Sequence, residues 1–332
     1  MNFNSKNLLI TGGAGFIGSN FIRLFLNKYN NVRIINLDKL TYAGNLKNLS
    51  NDIKNNPNYN FIHGSIEDIE LLNKIFKSYS IDGVINFAAE SHVDNSIYNP
   101  DQFIKTNING VFNLLKTCHK FWLDKPHKYK SEFINSRFHQ VSTDEIYGSI
   151  EEGSFDELSK FNPSSPYSAS KASADLLVNS SYVTYGLNTT ISVCSNNFGP
   201  NQHEEKFIPK IIHHLINNKP IPVYGDGENV RDWLFVEDHC NAIELIFNKS
   251  LPGEIYNIGS NNEMSNNELI EIIHDLLKNK AYPKKKIKYV NDRFGHDFRY
   301  SISSKKLNKA LGWKCDNNFI HNLEFTIDHI LK

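Results

Sequence analysis

Cysteine is scarce in this 332-residue chain, and the four present (Cys118, Cys194, Cys240, Cys315) lie far apart with no Cys-x-x-Cys pair. That spacing argues against a zinc knuckle or a disulfide framework and fits a reducing, cytoplasmic compartment; no metal site is expected. Net charge is absent as well. Thirty-six basic residues offset thirty-six acidic ones, so no whole-molecule field points to nucleic acid or an anionic membrane. Any anionic ligand must be held by local positive groups. No apolar run approaches the ~18 residues of a membrane span. The opening MNFNSKNLLITGG has neither the basic n-region nor the apolar core of a signal peptide. Internal repeats and low-complexity linkers are also missing. What is present, 40% hydrophobic and 22% charged residues, is the composition of an ordinary soluble globular protein of about two domains.

The first half alternates short apolar runs with helical patterns. NLLIT (7–11), VRIINLD (32–38), YNFIHG (59–64), DGVINFAA (82–89) and RFHQVST (137–143) read as buried strands. Helices are expected near 16–29, 67–78, 100–123 and 166–185, with a further strand TTISVCS at 189–195. This βαβ rhythm predicts an α/β fold with a doubly wound parallel sheet. After Asn196 the rhythm loosens: Pro200, Pro209, Pro220 and Pro222 break the chain, and YGDGENVRDW (224–233) reads as a turn-rich loop. FVEDHCNAIELIF (235–247) and EIYNIG (254–259) are expected to return a helix and a strand to the sheet. Helices near 265–279, 303–311 and 318–331 finish the chain. Residues 1–195, with 230–260 returning, are thus expected to form a dinucleotide-binding Rossmann domain. Residues 196–229 and 261–332 would form a smaller, mixed substrate-binding part, with ligands beyond the carboxyl ends of the strands.

Gly12, Gly15 and Gly18 in TGGAGFIGS follow the first strand and open the first helix. Glycines there let the backbone approach a pyrophosphate seated on a helix N-terminus. Asp38 ends the second strand twenty residues after Gly18. A carboxylate at that point accepts hydrogen bonds from a ribose diol and repels a 2′-phosphate, which favours NAD over NADP.

In PYSASKASADLL (166–177), Tyr167 and Lys171 stand four apart on a predicted helix and share a face. A phenol of pKa about 10 is only about 0.1% ionised at neutral pH. A neighbouring ammonium, together with the positive charge of oxidised nicotinamide, favours phenolate and equips Tyr167 to take a proton from a sugar hydroxyl. VSTDEIYGS (141–149) sets Asp144 and Glu145 side by side among the hydroxyls of Ser142, Thr143 and Tyr147. Adjacent buried acids cost several kcal/mol unless something uses or neutralises them. Neighbouring strand side chains point oppositely, so the strand must curl or end here if both acids are to serve one site.

TGGAGFIGS, LDKLTYAGN (37–45), AAESHVDNSI (88–97), VSTDEIYG, PSSPYSASKASADLLV (163–178), NNFGP (196–200), RDWLFVEDH (231–239) and YNIG resemble the extended short-chain dehydrogenase/reductase family. More narrowly they resemble its dTDP-glucose 4,6-dehydratases, in order from residue 8 to about 313. The resemblance implies oxidation of the glucose C4 hydroxyl with NAD+, loss of water across C5 and C6, and return of the hydride to C6. Glu145 would be the base at C5 and Asp144 the acid at C6. Thr143 would bind O4, and Tyr167 with Lys171 would handle the C4 proton. An isolated aspartic acid is about 0.1% protonated at pH 7, so the acid role needs a raised pKa, which a like charge and a dry cleft both supply. In the family pattern, decarboxylases and GDP-mannose dehydratases carry Ser where this chain has Asp144, and C4-epimerases lack the acid pair. A non-catalytic NAD-binding regulator would be expected to lack Tyr167, Lys171 or an acid.

The resemblance also implies NAD contacts from Phe16, Ile17, Lys39, Leu40, Thr41, Ser65, Ile66, Ala88, Ala89, Ser91, Thr106, Ser142 and Asn197, besides the glycines, Asp38, Tyr167 and Lys171. Where the bacterial pattern has Asp-Ile near the adenine, this chain has Ser65-Ile66, and a hydroxyl accepts from the adenine amine more weakly. The sugar nucleotide would meet His92, Thr143, Asn196, Lys206, Phe207, Pro222, Val223, Tyr224, Arg231, Asn266, Arg293 and His296. Arg231 and Arg293 are the natural diphosphate clamps, because guanidinium binds phosphate oxygens in a fork. GPNQHEEKFIPK (199–210) and GDGENVR (225–231) also resemble plant UDP-glucose 4,6-dehydratases, so UDP-glucose is the alternative substrate. One methyl separates thymine from uracil, worth roughly 1–3 kcal/mol in a fitted pocket. The family implies a homodimer through helices near 100–123 and 166–185, and products that lead to rhamnose and several amino sugars.

Overall fold

The computed structural model describes residues 5–278, 285–316 and 318–332. Residues 1–4 at the start of the opening segment, and residue 279 at the end of the expected 265–279 helix, lie outside them. Seven parallel strands form the central sheet: β1 (Asn7–Thr11), β2 (Arg33–Asp38), β3 (Tyr59–His63), β4 (Gly83–Asn86), β5 (Arg137–Thr143), β6 (Thr189–Cys194) and β7 (Ile255–Ile258). Their spatial order is β7-β6-β5-β4-β1-β2-β3. The chain therefore builds outward from β1 through β2 and β3, then returns to lay β4 on the other side of β1. That reversal leaves a crevice at the carboxyl ends of β1 and β4.

Apolar runs rather than alternating patterns mark these strands because helices cover both faces of the sheet. Successive side chains of β1 divide between the two faces. Leu8 and Ile10 pack with Phe21, Ile22 and Phe25 of the helix Phe16–Lys28. Leu9 packs on the opposite side with Leu72 and Phe76 of Ile69–Tyr79 and with Leu114 and Trp122 of Val111–Trp122. The expected 100–123 helix is less regular than its sequence pattern. It runs as Pro100–Phe103, a π-helical stretch Ile104–Gly110, and then Val111–Trp122.

The structure corrects two expectations beyond Asn196. A helix spans Phe207–Ile216 despite Pro209. Proline there falls in the first turn, where the amide hydrogen has no intrahelical acceptor to lose. The i, i+3, i+4, i+7 series Ile208, Ile211, Ile212, Leu215 is fully or almost fully buried. The loop expected at 224–233 ends early, because Val230–Phe235 is a strand. It pairs with Asn196–Phe198 in parallel and Glu263–Ser265 antiparallel, in a three-stranded sheet apart from the central one. Arg231 and Asp232 interrupt its apolar pattern and hid it. Of the segment 230–260, it is the helix Val236–Lys249 and β7 that return to the main body. Ile221–Tyr224 and Ile287–Val290 form a parallel pair, and the helices Asn266–Lys278, Lys305–Leu311 and Phe319–Ile330 close the chain.

Candidate active site

A cavity of about 300 Å³ opens at the carboxyl ends of β1, β2, β4, β5 and β6. At one end lies the glycine turn. Gly12 has φ +71°, and a Cβ there would stand 2.7 Å from Ala88 N, so the turn passes against the chain leaving β4. A Cβ on Gly18 would meet Gly12 O at 2.4 Å, which lets the helix start directly beneath the turn. Gly15 differs. Its Cβ position has no atom within 4 Å except Gly12 O at 3.2 Å, so a side chain would project into open space at the N-terminus of the thirteen-residue helix Phe16–Lys28. A pyrophosphate fits this cradle.

Asp38 ends β2 nearly buried, and its carboxylate organises the adjoining loop. Oδ2 accepts from Ala14 N and Oδ1 from Leu40 N, each at 2.8 Å. Each oxygen keeps a second lone pair for a ribose hydroxyl. Phe16, Ile17, Lys39, Thr41, Ser65, Ile66, Ala88, Ala89, Ser91, Thr106 and Asn197 also line the cavity; Leu40 does not. Lys39 and Thr106 converge on Glu67, which accepts from Nζ at 3.1 Å and from Oγ1 at 2.9 Å. Burial pushes the Glu67 carboxyl up, but these donors outweigh it and hold it below the ordinary range.

At the other end β5 stops at Thr143, and the chain curls into a single 3-10 turn, Asp144–Ile146. The Thr143 hydroxyl caps the turn by accepting Glu145 N–H at 3.4 Å. The curl cancels the alternation of the strand, and Thr143, Asp144 and Glu145 all line the cavity. Asp144 is 2% exposed, and its Oδ2 is buried without a hydrogen-bond partner. Burial, then the neighbouring Glu145 charge, raise its carboxyl well above the usual range. Burial raises Glu145 too, against the opposing charges of Arg231, Lys206 and Arg293. The two acids thus differ: one is shaped to hold a proton, the other stands among cations that favour its carboxylate.

Tyr167 and Lys171 reach the same cavity from the helix Pro166–Tyr185. Ser165 and Ser168 form a reciprocal capping box, Pro166 occupies the first turn, and Gly186 closes the far end with φ +68°. Lys171 is almost fully buried and donates from Nζ to Val141 O at 2.6 Å. The lysine alone does not ionise the phenol. Burial, followed by the Glu145 charge, pushes Tyr167 well above 10, because desolvation and a nearby carboxylate both favour the neutral phenol. Ser142, expected at the cofactor, also lines the cavity, and its hydroxyl donates to Asp175.

Asn196 and Lys206 line the cavity, and Lys206 Nζ donates to Ser91 O at 2.8 Å. Thr143 lines it too; the other expected sugar-nucleotide residues stand outside that lining. His92 caps the helix Val93–Tyr98 and lies 3.7 Å from Glu205. Phe207 stacks on Trp233, ring centroids 6.5 Å apart. Pro222 and Tyr224 lie on one strand with Val223, whose side chain is in the hydrophobic core, leaving its main chain for any contact. Asn266 opens its helix. Arg293 pairs through Nε with Asp94 at 3.3 Å, and its guanidinium lies 4.6 Å from the Tyr224 ring centre. His296 meets Tyr224 edge-on and Asp292 at 2.6 Å. Glu90, Cys194, Gln202, His203 and Glu205 line the cavity unforeseen. Glu90 lies inside the quoted ESHVD, whereas no spacing in the sequence points to the 202–205 stretch. Among the described residues no group of three or more His, Cys, Asp or Glu is placed to hold a metal ion.

The GDP-mannose 4,6 dehydratase family model matches residues 9–324. A dTDP-glucose 4,6-dehydratase of Neisseria gonorrhoeae is 44% identical over 336 residues, covering 98% of this chain and 96% of the relative. The chain belongs to the dTDP-glucose 4,6-dehydratase family. Two solved structures of family members superpose closely. That from Bacillus anthracis, in complex with NAD, has TM-score 0.86 at 43% identity and covers 98% of this chain and 96% of its own. That from Streptomyces venezuelae, with NAD and a second ligand bound, has TM-score 0.88 at 41% identity, covering 97% and 96%. The dehydratase family is thus shared along essentially the whole chain, and the resemblance read from its motifs holds.

Proposed function

We propose that the chain converts dTDP-glucose to dTDP-4-keto-6-deoxyglucose and water, as an NAD-dependent hydro-lyase. The reading is carried by one observation: a buried Asp144 with an unpartnered oxygen, beside Glu145, opens on the same cavity as Tyr167 and Lys171. NAD, when bound, supplies the hydride acceptor for C4 and gives the hydride back at C6. Tyr167 takes the C4 hydroxyl proton, with Lys171 beside it and Thr143 donating to O4. The 4-ketone acidifies C5–H; Glu145 removes that proton, and Asp144 protonates the departing C6 hydroxyl as water. Glycines 12, 15 and 18 seat the pyrophosphate and Asp38 the ribose. Lys206, Arg231 and Arg293 supply positive charge for the diphosphate, with Tyr224, Asn266 and His296 around the nucleotide.

Several features support the wider assignment. The segments 1–195, with 230–260, and 196–229 with 261–332 would be the cofactor and substrate parts. A homodimer through the helices near 100–123 and 166–185 is supported by exposed apolar side chains at Ile104, Phe112, Leu176 and Val183. No described helix is long and apolar enough to cross a membrane. The four cysteines are free thiols, which accords with a cytoplasmic location. The test is an NMR time course in heavy water with dTDP-glucose and, separately, UDP-glucose. A 4-keto-6-deoxy product bearing deuterium at C5 is expected, formed faster from dTDP-glucose. A galactose product, no turnover, or no label at C5 would overturn the reading.

A further inference from the structure

One buried carboxylate takes no part in the chemistry above. Asp175 is 2% exposed and stands one helical turn beyond Lys171 on Pro166–Tyr185, so the two share a face. Its Oδ2 accepts the Ser142 hydroxyl, while Oδ1 is buried with no hydrogen-bond partner. Lys171 Nζ is anchored to Val141 O at 2.6 Å. Lysine and aspartate are therefore tied to consecutive residues of β5, Val141 and Ser142, with only Thr143 between them and the turn that carries the acids. A main-chain carbonyl is a neutral acceptor and does not offset the cost of burying an ammonium, whereas an anion does.

The titratable groups acting on Lys171 are Asp175 from its own helix and Cys194 from β6; Asp144 and Glu145 act on Tyr167. Burial pushes the Cys194 thiol up to about 12, which leaves it neutral. We propose that Asp175 is a positioning residue: its carboxylate is the counter-charge of the Lys171 ammonium and sets the pH range over which Lys171 can serve Tyr167. Burial lowers Lys171 while Asp175 raises it. Burial likewise lifts Asp175 to about 7, against the pull of Lys171 and the Ser142 hydrogen bond. The inference rests on the reading in which Tyr167 and Lys171 handle the C4 proton.

The experiment follows the Lys171 amine by NMR in full-length protein carrying 15N-lysine, its signal assigned by its loss in Lys171→Met. In Asp175→Asn the midpoint should fall by about 1–3 pH units, the range for loss of a close opposite charge. The alkaline limb of single-turnover C4 oxidation should move down with it. Asp175→Glu keeps the charge and should hold both near the wild-type values. An unmoved midpoint in Asp175→Asn, or equal shifts in the Asn and Glu variants, overturns the counter-charge. If Asp175→Asn does not fold, Asp175→Ser is read in the same way. Undiminished C4 oxidation in Lys171→Met would instead overturn the parent reading of the Tyr–Lys pair.

Discussion

The guanidinium carbon of Arg231 lies 4.2 Å from the ring centre of Tyr300. Three main-chain carbonyls fix it there: Nη1 donates to Val230 O at 2.7 Å and Phe298 O at 3.0 Å, and Nη2 to Asp297 O at 2.9 Å. A planar guanidinium suits this combination of stacking and forked donation; an ammonium does not. Much of its donor capacity is thus committed before any diphosphate arrives, and its charge, more than those of Lys206 and Arg293, opposes the rise that burial imposes on Glu145. Arg231→Gln removes that charge, so the Glu145 pKa should rise and the acid limb of the elimination step should move to higher pH. Loss of a charged hydrogen-bonding group, roughly 1.5–3 kcal/mol, corresponds to about 10- to 100-fold in kcat/KM. A pH profile of product formation that keeps its acid limb in Arg231→Gln would remove Arg231 from this role.

Asp144→Asn separates the two halves of the reaction. The amide keeps the size of the side chain but has no acidic proton for the leaving hydroxyl. Water loss should slow by about 10²- to 10⁴-fold, the range for a general acid, while C4 oxidation stays measurable in a single turnover as nicotinamide absorbance. Equal loss of both steps would contradict the assignment. The same change should stabilise the fold at neutral pH and above. A carboxyl with a raised folded pKa binds its proton better in the folded than in the unfolded chain, so stability is lost as pH rises through the folded pKa. The amide has nothing to lose in that window.

Much of this site was legible in the sequence because local rules dictate it. Gly12, Gly15, Gly18 and Asp38 follow from turn geometry and charge within one βαβ unit, and Tyr167 with Lys171 from helical spacing. The need for a curl at Asp144 followed from strand alternation, and the 3-10 turn supplies it. Long-range packing was not legible. Val230–Phe235 is a strand because Asn196–Phe198 and Glu263–Ser265 flank it, and nothing within VRDWLF announces those partners. Glu205 enters the cavity because the segment after Pro200 folds back to within 3.7 Å of His92. The inward turn of Ser142 toward Asp175 depends on the register between β5 and a helix more than twenty residues later.

Gly12→Ala tests the close approach between the β1 turn and β4. A methyl group would stand 2.8 Å from Ala88 Cα on a residue at φ +71°, with main chain on the other side and no flexible side chain to yield. Backbone strain of this kind costs about 1–3 kcal/mol, and the turn must also shift out of its pyrophosphate geometry. Urea unfolding should show that loss, and calorimetric titration should show NAD affinity down at least tenfold. A variant with wild-type affinity would mean that the turn is not the cradle.

Phe112→Glu with Leu176→Glu addresses assembly. Both side chains are more than half exposed, on neighbouring helices, and neither belongs to the cavity lining. If they meet a second copy, burying two carboxylates per chain should leave a monomer by analytical ultracentrifugation, with the fold intact by circular dichroism. A dimeric mass for the double variant would place the interface elsewhere.

Acid should weaken the fold through two histidines that the chemistry does not use. His139 lies wholly buried on β5, with Nδ1 2.8 Å from Thr190 Oγ1 and Nε2 3.0 Å from Ser192 Oγ. His239 is equally buried, with Nδ1 2.8 Å from Asn197 Oδ1. Burial holds both down to about 3, against about 6.5 in an unfolded chain. Between those values the unfolded state binds more protons, so stability is complete above about pH 6.5 and falls as pH drops toward 3, by up to several kcal/mol for the pair. Urea midpoints between about pH 7 and pH 4 should decline accordingly. His139→Gln, which can still bond both hydroxyls but takes up no proton, should flatten that slope; an unchanged slope would mean that the decline comes from other groups.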